Sequence, residues 1–146
     1  MALIIQKYGG TSVADAVRVK EVAKRVLKYK NEGHDVIVVV SAPAGTTDSL
    51  IRRAYELSET PNKRELDMLL TSGEQISIAS LAIAIEALGK KAISLNAFQV
   101  DFKTTDEHTK ATILDINTDI IREKLSEGNV VVFAGFQGIT ENNEIT

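Results

Sequence analysis

The chain has 146 residues, enough for one domain with a core of its own. Apolar residues make up 44% and charged residues 25%, and the net charge of −3 lacks the basic surplus of phosphate-backbone binders, so nucleic acid is not an expected partner. The absence of cysteine excludes disulfides, thiolate zinc sites and cysteine nucleophiles, and the first apolar run is too short for a signal peptide or a membrane span, which points to a cytoplasmic protein with no membrane partner.

In chain order, Ala2 to Ile5 is short and rich in isoleucine, as in a buried strand. "KYGGTS" follows, and then apolar residues recur at Val19, Val22, Ala23, Val26 and Leu27, the spacing of one helical face. "NEGHD" stops that helix. The β-branched run Val36–Val40 predicts a central strand covered on both faces, as in a parallel sheet. "SAPAGTTD" is turn chemistry, with a helix expected from Ser49 to Leu57. Pro61 starts the next segment, and Leu66 to Leu88 has helical spacing interrupted at "TSGEQ", where the glycine predicts a kink or a loop between two helices. "KKAISL" is a third strand and "NAFQVDFKTTDEHTKAT" has no clear assignment. Asp119 to Leu125 reads as a helix, and Asn129–Ala134 is a second strongly β-branched strand ending in "GFQGITENNEIT". Strands alternating with helices predict an α/β sandwich around a mostly parallel sheet.

Three of these strands end in small or polar loops, "YGGTS", "SAPAGTTD" and "GFQG". Ligands of open parallel sheets bind beyond the carboxyl ends of the strands, so three such loops on one rim would form a cleft. "KYGGTS" has the spacing of neither the Rossmann fingerprint nor the Walker loop. Gly9 and Gly10 nevertheless let backbone approach a ligand, Thr11 or Ser12 can cap the following helix, and Lys7 adds a full charge. A polyphosphate site satisfies these residues, and so does an ordinary strand-to-helix turn with a surface lysine.

Ser41, Thr46 and Thr47 are neutral hydrogen-bond donors beyond a buried strand, suited either to substrate contact or to capping the helix at Ser49. Glu74 lies beside a glycine between apolar segments. Unless it is a solvated helix end, such a carboxylate needs a cationic partner. Phe136 and Gln137 sit between two glycines at a strand end, where an aromatic is more often a binding contact than core. His34 and His108 lie in polar loop sequence with no paired ligand spacing and are expected to be exposed. There is no Ser-His-Asp constellation, HExxH run or calcium loop.

The ordered set "KYGGTSV", "VVVSAPAGTTD", "LLTSGEQ" and "VVVFAGFQGIT" closely resembles the N-terminal part of aspartate kinases, members of the amino acid kinase family, over essentially the whole chain. The resemblance implies a three-layer α/β/α sandwich. It implies phosphoryl transfer from Mg-ATP to the side-chain carboxylate of L-aspartate, giving 4-phospho-L-aspartate for lysine, threonine and methionine synthesis. By position it places Lys7, Tyr8, Gly9 and Gly10 at the ATP phosphates, with Lys7 catalytic. Ser41, Thr47 and Glu74 fall where the family contacts aspartate, and Gly135–Gly138 with Phe136 resembles the turn lining that pocket. Mg²⁺ would come with the nucleotide, and a homo-oligomer is expected. Acetylglutamate, glutamate, carbamate or nucleotide monophosphate kinases of the same superfamily are the nearest alternatives, and a non-catalytic anion-binding fragment is the alternative from another class.

Two departures bear on these expectations. Where such kinases commonly have Thr-Gly-aromatic-Gln-Ala-Gly, this chain reads "NAFQVD" (Asn96–Asp101), without either glycine. The family's arginine- and aspartate-bearing segment, adenine-binding half and ACT domains would come after Thr146. The chain is therefore expected to be the substrate-side part of a catalytic domain, inactive or nearly so alone.

Overall fold

The computed structural model describes residues 1–146. Its centre is set by β-branched side chains. Strand β1 (Leu3–Tyr8) leads through a 3-10 turn (Gly10–Val13) into helix α1 (Ala16–Asn31), and β2 (Asp35–Val40) is followed by helices α2 (Thr46–Leu57) and α3 (Lys63–Ala87). Strand β3 (Ala92–Leu95) precedes a hairpin of β4 (Phe102–Thr104) and β5 (Ile113–Ile116). Helix α4 (Asp119–Ser126) and strand β6 (Val130–Ala134) complete the order.

Four strands form one sheet in the order β1-β2-β6-β3, and every pair in it is parallel. The two valine-rich strands occupy its middle. Val36, Val38, Val40, Val130 and Val132 are fully buried on the face covered by α1 and α3. Ile37, Val131 and Phe133 point to the opposite face, where α4 supplies Ile120, Ile121 and Leu125. The expected three-layer sandwich is therefore present, with a thicker layer on the α1/α3 side. At about 1.5 kcal/mol or more for each fully buried valine, burial rather than strand propensity holds these segments at the centre.

The edge strand β1 runs through Lys7 and Tyr8, beyond the segment read as strand from sequence. Its burial alternates, with Leu3, Ile5 and Lys7 exposed and Ile4, Gln6 and Tyr8 turned inward.

The sequence expectation of a break at "TSGEQ" is corrected. Helix α3 runs unbroken through Gly73. A Cβ at that position would lie 2.8 Å from Ala42 Cβ and 3.3 Å from Thr46 Cγ2, so the glycine permits close approach of the loop after β2 and does not interrupt the helix. By composition and length α3 is able to span a bilayer, yet its inner face carries Asp67, Thr71, Glu74 and Ser77 beside Ile78, Leu81 and Ile85, all buried against this fold. Helix α2 begins at Thr46, three residues before the predicted start. Gly45 precedes it with φ +80, and no side chain caps it.

The unassigned stretch after β3 contains the antiparallel hairpin. Its register is irregular between Lys103 and Thr104, and it is joined to the β6 loop by Thr104 N donating to Ile139 O at 2.8 Å and Ile139 N donating to Phe102 O at 2.9 Å. Within the preceding loop, Asp101 adopts φ +51, the conformation a glycine would take without strain.

Candidate active site

Because all four strands run the same way, the loops after Tyr8, Val40, Ala134 and Leu95 gather on one rim. The three predicted loops are there, and the Asn96–Asp101 loop is a fourth. Main-chain bonds lace them together: Ser41 N donates to Tyr8 O (3.2 Å), Ala44 N to Gly10 O (3.0 Å) and Gly135 N to Val40 O (3.0 Å). Side chains add one more tie and brace the fourth loop internally. Gln137 Oε1 accepts from Ala97 N at 3.1 Å, and Asn96 and Gln99 exchange bonds of 3.0 Å each within the fourth loop.

The two glycines of the first loop have different tasks. A Cβ on Gly10 would meet Ala42 O at 2.7 Å and Ala44 N at 3.1 Å, so Gly10 lets the first two loops touch. A Cβ on Gly9 would meet nothing within 4 Å, so the space above it is open to a ligand. Lys7 is exposed at the end of β1, with no salt-bridge partner. Tyr8 faces the other way, into the α1 layer, where its hydroxyl donates to Gln6 Oε1 at 3.3 Å. Burial pushes its phenol above the ordinary value, with Arg25 partly offsetting this, so a contribution of Tyr8 to a phosphate site would come from its main chain.

Neither Thr11 nor Ser12 caps α1. Asp15 does, accepting from Arg18 N at 2.9 Å. An acidic residue directly before the periodic run is the signal that sequence reading passed over.

Glu74 is only 2% exposed, on the α3 turn that Gly73 brings against the second loop. Its Oε1 accepts from Ala42 N at 3.3 Å. No lysine, arginine or histidine pairs with it, and burial raises its carboxyl above the usual range, against which its own and the Ala42 amide act. It is a buried acid without a cation, not a solvated helix end. Ser77, one turn further along α3, has a buried hydroxyl with no partner.

Thr47 in the first turn of α2 and Phe136 in the β6 loop line one cavity of about 520 Å³. Phe136 is 80% exposed at φ +60, a conformation costly for an aromatic residue and held by the flanking loop bonds. Gln137 and Gly138 line the same cavity, whereas Lys7, Ser41 and Glu74 do not. Ser41 is half-buried directly after β2.

The histidines are not exposed as expected. His34 is partly buried and its Nδ1 accepts from Ala2 N at 3.1 Å. His108 Nδ1 bonds Asp67 Oδ2 at 2.8 Å, tying the hairpin tip to α3. Asp67 is the site-adjacent residue that sequence reading missed, since its partner lies 41 residues away.

An open parallel sheet with loops laced across its carboxyl rim, a free lysine at the end of one strand and a buried acid beneath the second loop, defines an α/β protein of the class whose ligand sites lie at the strand ends. The chain belongs to the amino acid kinase family, which matches residues 2–146. It is 49% identical over 146 residues to the aspartokinase of Geobacillus stearothermophilus, covering 100% of this chain and 36% of that protein. With the aspartokinase of Mycolicibacterium smegmatis the identity is 49% over 144 residues, 99% of this chain and 34% of the relative. The chain thus spans about a third of the length of these relatives. Among solved structures, aspartate kinase from Synechocystis superposes with a TM-score of 0.83 at 42% identity, over 99% of this chain and 23% of that one. Escherichia coli aspartokinase III in complex with aspartate and ADP shares the fold, with a TM-score of 0.83 at 22% identity over 100% of this chain and 43% of that one.

Proposed function

We propose that this chain is the substrate-side part of an aspartate kinase, which transfers the γ-phosphoryl group of ATP to the side-chain carboxylate of L-aspartate. The observation that carries the reading is Glu74, a buried carboxylate with no cation beside it, set under the loop that bears Ser41 and Thr47. A site that keeps such a group is suited to a ligand's ammonium. Aspartokinases at 49% identity over the whole chain support the same substrate.

In this reading the aspartate side-chain carboxylate attacks the γ-phosphorus as the bond to the ADP oxygen breaks. The nucleophile is already ionised, so no general base is needed, and catalysis rests on positioning and charge. Glu74 holds the α-ammonium, and Ser41 and Thr47 donate to the substrate's carboxylates. Lys7 and the main chain at Gly9 and Gly10 face the transferring phosphoryl group, where negative charge accumulates. Mg²⁺ would arrive with the nucleotide, held chiefly by its phosphates. The cytoplasmic, homo-oligomeric state belongs to the same proposal, and the exposed Ile76 and Ile83 on α3 suit a subunit contact.

The test is acyl phosphate formation by the full-length protein that carries this chain, trapped with hydroxylamine. ATP with L-aspartate should give the hydroxamate, and Lys7→Ala should abolish it. Trapping with glutamate but not aspartate would move the protein to another branch of the family.

A further inference from the structure

One wall of the cavity beside Thr47 and Phe136 is the tip of the β4–β5 hairpin. This tip is firmly held. Asp67, 5% exposed, bonds His108 Nδ1 through Oδ2 at 2.8 Å, and its two oxygens accept from Thr109 N at 3.1 and 3.0 Å. Thr109 takes φ +71, a strained value for a β-branched residue, and these bonds keep it there. The next residue, Lys110, has its own amide bound to Glu107 O at 3.1 Å. Its backbone is thereby fixed up to its own amide.

Lys110 is the one cationic side chain lining this cavity, and it has no salt-bridge partner. The other charged group there, Asp67, already spends its oxygens on His108 and Thr109. Leu66, Leu70 and Phe102 make much of the surrounding surface apolar, and Lys110 reaches it from the exposed tip with its charge unpaired. An acidic amino acid brings two carboxylates, and only one can face the phosphoryl group.

We propose that Lys110 is a substrate-recognition residue that receives a carboxylate of the acidic amino acid bound beside Thr47 and Phe136, with Asp67 and His108 as positioning residues that hold it there. The inference rests on the kinase reading above.

The experiment uses the full-length enzyme and follows KM for the amino acid and for ATP separately. Lys110→Met should raise the amino-acid KM about tenfold or more, the scale of one charge-assisted hydrogen bond, and leave the ATP KM within about twofold. Lys110→Arg should restore most of the loss. Asp67→Asn should raise the same KM, but add nothing in the Lys110→Met background, whereas a merely structural role would add in full. An unchanged amino-acid KM in Lys110→Met, or an ATP KM that rises with it, would overturn the proposal. Calorimetric binding of L-aspartate to the unaltered and Lys110→Met proteins reads the residue without turnover. Lys110-dependent binding in a protein that makes no acyl phosphate would sink the kinase reading alone, and equal binding or none would sink this inference.

Discussion

Glu74 Oε1 accepts a hydrogen bond from Ala42 N 3.3 Å away and 32 residues earlier in the chain, and it has no other partner except its own amide. A lone weak bond does not offset the desolvation of an ionised carboxylate, so its pKa is raised in the folded state. Between the ordinary glutamate pKa and the raised folded value, the native protein retains a proton that the unfolded chain has released. Stability from this group is complete below the ordinary glutamate pKa and is lost as pH rises through the folded value. Glu74→Gln should therefore unfold at higher denaturant than the parent near neutral pH, and the two curves should converge in acid. The same substitution should raise the KM for the amino acid by tenfold or more, because the ammonium loses its counter-charge. A parent that is more stable than Glu74→Gln at pH 7.5 without ligand would contradict this account.

Gly73→Ala sets helix propensity against packing. Propensity alone favours alanine in a helix by about 1 kcal/mol. The added methyl, however, would sit 2.8 Å from Ala42 Cβ, and overpacking of that kind costs about 1 to 3 kcal/mol. Net destabilisation is expected, measured as a lower urea midpoint at constant slope. Because Glu74 is the next residue, amino-acid binding should weaken in parallel.

Gly9 and Gly10 separate a ligand effect from a folding effect. Gly9 has φ −78, which any residue adopts, and open space where a Cβ would point. Gly9→Ala should keep the unfolding temperature within a degree or two and raise the KM for ATP. Gly10→Ala pushes a methyl to 2.7 Å from Ala42 O and should lower the unfolding temperature whether or not nucleotide is bound. Equal effects of the two substitutions on stability would remove the distinction.

The centre of the sheet was legible because its residues answer to one rule. Val36–Val40 and Val130–Val132 are β-branched and covered on both faces, so composition alone reports their position. The rim followed, since a parallel sheet must collect its carboxyl ends on one side. Glycine was the weak point. The same letter marks a contact with the second loop at Gly10, a contact between a helix and that loop at Gly73, and open space at Gly9, and only the neighbouring chain tells them apart. The end of β1 was hidden because an edge strand tolerates Gln6 and Lys7, which read as loop. The hairpin was illegible for a different reason. β4 has three residues, and all four residues of β5 are exposed, so no apolar periodicity reports them. What fixes them is a pairing across 41 residues, between Asp67 and His108, which no local pattern encodes.

That pairing makes a prediction independent of catalysis. The hairpin forms a sheet of its own; its base is held by bonds to Ile139 and by Phe102 stacked on Phe133, and its tip is tied to the helical layer through Asp67. Asp67→Ala removes the acceptor of His108 and of Thr109 N, leaving strained Thr109 without its restraint, at a cost of about 1 to 3 kcal/mol for the unpaired groups. Local opening of the hairpin tip and of β5, whose residues are all exposed, should absorb most of that cost, while Phe102 of β4 stays stacked on Phe133 of β6. Amide hydrogen exchange of the tip and of β5 should accelerate by about tenfold or more, with β2 and β6 unchanged. Asp67→Asn, which keeps one acceptor oxygen, should fall between Asp67→Ala and the parent. If β2 and β6 accelerated equally with the hairpin, Asp67 would be a core residue of the whole domain, and the clamp would have no separate existence.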